Sequence, residues 1–107
     1  MYYNLGITFK ELEEYQKAIG CYEKAIQIDP NYANAYYNLG SILHELWELQ
    51  KAKSCYEKLL NLDPTYKKGY SGYGNLLLKI AQYNKGLTYI RKGDGVIRFT
   101  QNDVKII

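Results

Sequence analysis

The sequence predicts an all-α protein built as a stack of about three helix-turn-helix hairpins. Three observations carry this expectation: an internal repeat of 34 residues, apolar residues at helical spacing within each copy, and an Asp-Pro pair closing each of the first two copies. Repetition at such a period is the mark of an array in which each unit buries its apolar flank against the next.

The repeat is legible residue by residue. A shift of 34 places Tyr2, Tyr3, Asn4, Leu5 and Gly6 on Tyr36, Tyr37, Asn38, Leu39 and Gly40. It also places Ala18 on Ala52, Cys21 on Cys55, Tyr22-Glu23-Lys24 on Tyr56-Glu57-Lys58, and Asp29-Pro30 on Asp63-Pro64. A third copy keeps Tyr70 and Gly74 in phase, with Gly86 where Ala52 would stand and Ile90 in place of Tyr56. Within the first copy, Tyr2, Leu5, Phe9 and Leu12 form one amphipathic stripe, and Ala18, Tyr22, Ala25 and Ile26 form a second. The first helix of each pair is expected to end near Leu12, Leu46 and Ile80, and the second near Ile28, Leu62 and Lys92. Proline lacks the backbone N–H and disfavours helix in the residue before it, so Asp29-Pro30 and Asp63-Pro64 are the breaks between hairpins. Gly6, Gly40 and Gly74 are expected to let the partner helix approach closely, with Ala18 and Ala52 doing the same from the other side. The repeats then cover about 1–32, 33–66 and 67–93. After them comes a tail, 94–107, whose Val96, Ile97, Phe99, Val104, Ile106 and Ile107 have strand-like character and no helical period. It reads either as a short β-hairpin turning through Gln101-Asn102-Asp103 or as a stretch without fixed structure.

Tyr2-x-x-Leu5-Gly6-x-x-Phe9, Ala18-x-x-x-Tyr22-x-x-Ala25 and Pro30 resemble the tetratricopeptide repeat signature. The second copy matches through Tyr36, Leu39, Gly40, Leu43, Ala52, Tyr56 and Pro64, with Leu59 where a small residue is usual. The resemblance covers residues 1 to about 93. It implies a right-handed superhelical stack whose concave face, lined by the first helix of each pair, binds an extended or helical peptide. On that reading the chain is a protein-protein interaction scaffold and its partner a protein or peptide.

Tyrosine is unusually abundant, with 13 in 107 residues. Tyr2, Tyr22, Tyr36, Tyr56 and Tyr70 occupy aromatic signature positions and are expected to be core. Tyr3 and Tyr37 come one residue later, about 100° round the helix, on the side that lines the groove in proteins of this kind. Tyrosine supplies apolar area and a hydroxyl together, which suits recognition. The same helical reasoning adds Ile7, Lys10, Asn34, Asn38, Ser41, His44, Lys68, Ser71 and Asn75 to the candidate ligand-binding groove. One known ligand mode of the family, a clamp of Lys, Asn and Arg on a C-terminal carboxylate, would need its side chains at positions that here hold Tyr3, Ile7, Asn38, Lys68 and Gly72. Asn38 and Lys68 agree. Without the second lysine and the arginine, the charge-assisted bonds that grip a carboxylate are missing.

Charge is uneven along the chain. Residues 1–66 carry six Lys against nine Asp or Glu, −3, while 67–107 carry eight Lys or Arg against two Asp, +6, together the net +3. The basic end, with Lys67, Lys68, Lys79, Lys85, Arg91, Lys92 and Arg98, suits an acidic partner segment or the acidic front of a second copy. Nucleic acid is disfavoured as a partner, since the cations are scattered and no nucleic-acid motif accompanies them. Catalysis finds no support: there is a single histidine, His44, with no phosphate loop, no nucleophile grouping and no metal-ligand spacing, so neither cofactor nor metal is expected. Cys21 and Cys55 fall at equivalent places on successive second helices, too far apart for a disulfide, and read as packing residues in a reducing compartment. With no signal peptide and no membrane span, the sequence reads as soluble and cytoplasmic. The first copy starts inside its repeat and no polar capping helix closes the last. Three roles follow: a peptide-binding adaptor, a homo-oligomer built by head-to-tail stacking of uncapped ends, or a docking module cut from a larger enzyme.

Overall fold

The structure, a computed structural model, describes residues 1–92, with side chains through Asn84. These residues form five helices and no strand: α1 (Tyr2–Glu11), α2 (Tyr15–Ile28), α3 (Ala33–Glu45), α4 (Leu49–Leu62) and α5 (Lys67–Lys92). Two compact units result, Met1–Leu76 and Leu77–Ile107. In the first unit α1 pairs with α2, α3 pairs with α4, and α2 packs on α3 to join the hairpins.

Both hairpin turns use the same hydrogen bonds. At the end of α1 the Glu14 N–H donates to the Phe9 carbonyl (2.8 Å) and the Glu13 N–H to that of Lys10 (2.9 Å). At the end of α3 the Glu48 N–H donates to Leu43 (2.8 Å) and the Trp47 N–H to His44 (3.0 Å). This is the Schellman arrangement, which requires a left-handed residue just past the helix. Here the position is held by Glu13 (φ 59°) and Trp47 (φ 63°) rather than by glycine. The breaks between hairpins are also alike. The Asp29 carboxylate accepts from the Asn31 N–H (3.1 Å), and the Asp63 carboxylate from the Thr65 N–H (3.0 Å) and hydroxyl (2.6 Å). These side chains stand in for the next helical bond and hold the proline turn.

The core contains both second-helix tyrosines, Tyr22 (0% exposed) and Tyr56 (2%), with Ala18, Ala25, Ala35, Leu39, Ile42, Leu43, Ala52, Leu59 and Leu76. Glycine makes room for the rings. A Cβ on Gly6 would lie 2.7 Å from Tyr22 Cε1, and one on Gly72 would lie 2.9 Å from the Tyr56 hydroxyl. Leu39, beside α2, is 7% exposed, whereas Leu5, its counterpart one repeat earlier, is 42% exposed.

Three expectations need correction. No turn forms near Ile80: α5 runs unbroken for 26 residues. The position matching Glu13 and Trp47 is Ala81, the strongest helix former. Gly74 consequently has nothing within 4 Å of its would-be Cβ and serves no close approach. Tyr70, expected in the core, is 53% exposed. It and Tyr36 instead tie down the preceding turns, their hydroxyls donating to the carbonyls of Pro64 (2.9 Å) and Pro30 (3.2 Å). The tail, 94–107, lies outside the described residues.

Two measurements check this account. Gly6→Ala should destabilise the protein by about 1–3 kcal/mol in urea unfolding, because the buried Tyr22 ring has little room to yield. Glu13→Gly should stabilise it by about 0.5–1 kcal/mol, since a left-handed L-residue costs about 1–2 kcal/mol and glycine returns part of that as unfolded-state entropy. Loss of stability in Glu13→Gly would show that the glutamate side chain matters more than its backbone.

Candidate functional site

The first-helix face carries two copies of one tyrosine arrangement. The Tyr3 ring centroid lies 4.9 Å from that of Tyr32 and 5.9 Å from that of Tyr22. One repeat on, Tyr37 lies 5.5 Å from Tyr66 and 6.2 Å from Tyr56. Each set takes one ring from a first helix, one from the paired second helix, and one from the residue that enters the next first helix. Such tilted contacts add about 0.5–1.5 kcal/mol each beyond the area they bury. Tyr32 and Tyr66 were not among the residues expected at the site. The repeat carries their signal, since Asp29-Pro30-Asn31-Tyr32 superimposes on Asp63-Pro64-Thr65-Tyr66.

Polar side chains bridge the repeats on this face. Asn38 Nδ2 donates to the Tyr3 hydroxyl oxygen at 2.9 Å, linking α3 to α1. The Tyr66 hydroxyl donates to Asn34 Oδ1 at 2.5 Å. Burial raises the Tyr3 phenol above its ordinary value, against the lowering effect of the Asn38 bond. Burial likewise raises Tyr66, with the neighbouring Tyr3 and Tyr37 adding to it. Further along, the Tyr73 hydroxyl donates to Glu57 Oε2 at 2.8 Å, while Lys53 approaches the same oxygen at 3.5 Å. The Tyr73 bond is the main reason the Glu57 carboxyl is lowered.

The sequence-predicted residues are thus partly drawn together. Tyr3, Asn34, Tyr37 and Asn38 belong to the bonded and ring-contact network. Ile7, Lys10, Ser41 and His44 are half-buried on α1 and α3, and Lys68, Ser71 and Asn75 are exposed on α5. A cavity of about 170 Å³ adjoins the first tyrosine set, lined by Tyr2, Tyr3, Ala25, Ile28 and Tyr32 together with Met1 and Asp29. A larger one, about 500 Å³, lies over α3 between α2 and α4, lined by Ile19, Leu39, Leu43, Leu46 and Cys55 among others, and includes none of the predicted groove residues.

The buried phenols are themselves perturbed. Tyr22 and Tyr56 are pushed up to about 12, first by burial. The Cys55 thiol is pushed up to about 11 by burial, with Glu23 adding to it. Both cysteines are free thiols. The Tyr22 hydroxyl has no hydrogen-bond partner although it is fully enclosed. Among the described residues no group of three His, Cys, Asp or Glu is placed to hold a metal ion, and no helix is long and apolar enough to cross a membrane.

Fold, turns and paired tyrosines define the class: stacked helical hairpins of the tetratricopeptide type. Two family profiles match, TPR repeat over residues 6–46 and Tetratricopeptide repeat over 33–66. The chain belongs to the tetratricopeptide repeat family. Among solved structures it is similar to MamA, with a TM-score of 0.73 and 31% identity over 85% of this chain and 53% of that one. A second MamA structure gives 0.73 and 27% over 94% and 57%. YrrB, described as a TPR protein with an unusual peptide-binding site, gives 0.71 and 26% over 85% and 47%. The chain therefore spans about half the length of these proteins. No curated protein matches it.

Tyr22→Phe removes a buried hydroxyl that bonds to nothing, so it should leave stability unchanged or raise it by up to about 1 kcal/mol. The raised acids set the pH dependence. The unfolded chain releases these protons near the ordinary values of 9 and 10, and the folded chain holds them to about 11 and 12. Stability is therefore complete below about pH 9 and falls as pH rises through the folded values. The fall should be shallower in Tyr22→Phe, as read by denaturant midpoints from pH 8 to 12.

Proposed function

We propose that this chain is a protein-interaction scaffold that holds a peptide segment against the first-helix face, with Tyr3 and Tyr37 as its aromatic contacts. The observation that carries this is the repetition of the tyrosine set. Two half-buried rings stand 34 residues apart on successive first helices, each braced by two further rings and therefore ordered before any ligand arrives. Pre-ordered tyrosines lose little entropy on binding and offer area with a hydroxyl, the combination enriched at binding hot spots. Ile7, Lys10, Asn34, Asn38, Ser41, His44, Lys68, Ser71 and Asn75 surround them as the polar and aliphatic rim. YrrB, similar in fold, is described as having a peptide-binding site, which supports the class of ligand. The lysines at 67 and 68 favour an acidic segment at that end. Two free thiols suit a reducing compartment, and we place the protein in the cytoplasm on that ground.

A second reading is self-association. Met1 (88% exposed), Leu5 (42%) and Ile28 (70%) leave apolar surface on the first hairpin, and Leu78 (63%) and Tyr83 (56%) leave it on α5. The charge difference between 1–66 and 67–107 would favour head-to-tail contacts. Light-scattering mass that grows with concentration and falls with salt would favour this reading.

For the leading proposal, peptides selected from a random displayed library on the whole chain should bind Tyr37→Ala about tenfold or more weakly than the wild type in fluorescence anisotropy. Circular dichroism should confirm that the variant is folded. Undiminished binding by the folded variant would move the site off this face.

A further inference from the structure

The two tyrosine sets differ at one position, and the difference specifies a ligand group. In the first set, Asn38 of the next first helix donates its carboxamide N–H to the Tyr3 hydroxyl. The residue 34 places after Asn38 is Gly72, half-buried on α5. In the repeat, therefore, Tyr37 is the counterpart of Tyr3, and the place of its donor is held by a residue with no side chain. Among the described residues the Tyr37 hydroxyl has no hydrogen bond. Its ring is nonetheless held in the same way as that of Tyr3, by Tyr56 and Tyr66. All of these residues lie in the first compact unit.

Packing supplies part of the reason for the glycine. Where Asn38 supplies a Cβ, the Tyr22 ring crowds Gly6, 2.7 Å from the position its Cβ would take. Where Gly72 supplies none, the Tyr56 ring sits 3.4 Å from the equivalent position at Gly40, and its hydroxyl moves to 2.9 Å from the position of a Gly72 Cβ. Tyr56 therefore takes the room of the missing Cβ. The missing carboxamide has no replacement, and the acceptor it would have served remains on Tyr37.

We propose that the second tyrosine set is a carboxamide subsite: an Asn or Gln side chain of the bound peptide donates its N–H to the Tyr37 hydroxyl, as Asn38 does to Tyr3 within the chain. This rests on the peptide-scaffold reading above and adds a sequence preference to it. The carboxamide can donate to the phenol oxygen as Asn38 does to Tyr3, whereas an aliphatic side chain would leave the phenol without a partner and is disfavoured.

The test uses displayed random peptides selected on the whole chain, then resynthesised with a fluorophore. The selected set should carry Asn or Gln at one fixed place. Changing that residue to Leu should weaken binding about five- to tenfold, the worth of one hydrogen bond. Tyr37→Phe, which keeps the ring and its packing, should weaken the Asn or Gln peptide by a similar factor and leave the Leu peptide unchanged. The two changes should therefore be non-additive in a double-mutant cycle. If selected peptides bind and depend on Tyr37→Ala but show no Asn or Gln preference, or if the two changes are additive, the subsite is wrong and the scaffold reading stands. If no peptide is enriched, both fall.

Discussion

The contact on which the other features depend is the approach of a second-helix tyrosine to a first-helix glycine. Tyr22 lies against Gly6 within the first hairpin, and Tyr56 against Gly72 of α5, at distances that a side chain on either glycine would forbid, while Tyr56 meets Gly40 within its own hairpin less tightly. Because the ring fills the space between the helices, its edge also reaches the face opposite the turn. There it braces Tyr3 in the first hairpin and Tyr37 in the second. The core and the candidate binding face are thus parts of one stack. A change in the glycine would alter the position of the half-buried ring through the buried one.

The stack also explains why the site is ordered without many polar contacts. Tyr3 and Tyr37 are each held by two rings from other segments, and one of these, Tyr32 or Tyr66, follows the Asp-Pro turn that starts the next hairpin. The turn is itself held by Asp29 or Asp63 and by the signature tyrosines Tyr36 and Tyr70. Hydrogen bonds of the turn and aromatic contacts of the face therefore support one another. The cost of this economy is visible at Tyr22, whose hydroxyl is enclosed without a partner.

Repetition gives each position a built-in comparison. Glu13 and Trp47 have equal backbone conformations and different side chains, so the left-handed turn is imposed by the hairpin and not by the residue. Asn38 and Gly72 occupy equal places and differ in a donor, so Tyr3 and Tyr37 share a setting and differ in what they can still accept. Ala81 shows the converse. The repeat register continues past Tyr70, but the helix runs on through Ala81 without turning, and Gly74 has nothing within 4 Å of its would-be Cβ.

The sequence by itself determined the helical class, the two hairpins with their Asp-Pro breaks, and the burial of Tyr22 and Tyr56. All of these follow from local rules: helical period, proline geometry and a repeat that shows which residues recur. The tertiary structure decided what those rules do not reach. Whether a copy turns or continues is not legible from the repeat register alone: Glu13 and Trp47 take left-handed turns, whereas α5 runs on through Ala81. The joining of Tyr3 to Asn38 across 35 positions, and of Tyr66 to Asn34 across 32, depends on how far one hairpin is displaced from the next. That displacement is fixed where one hairpin packs on the next, as α2 does on α3, and it exists only once the hairpins are packed.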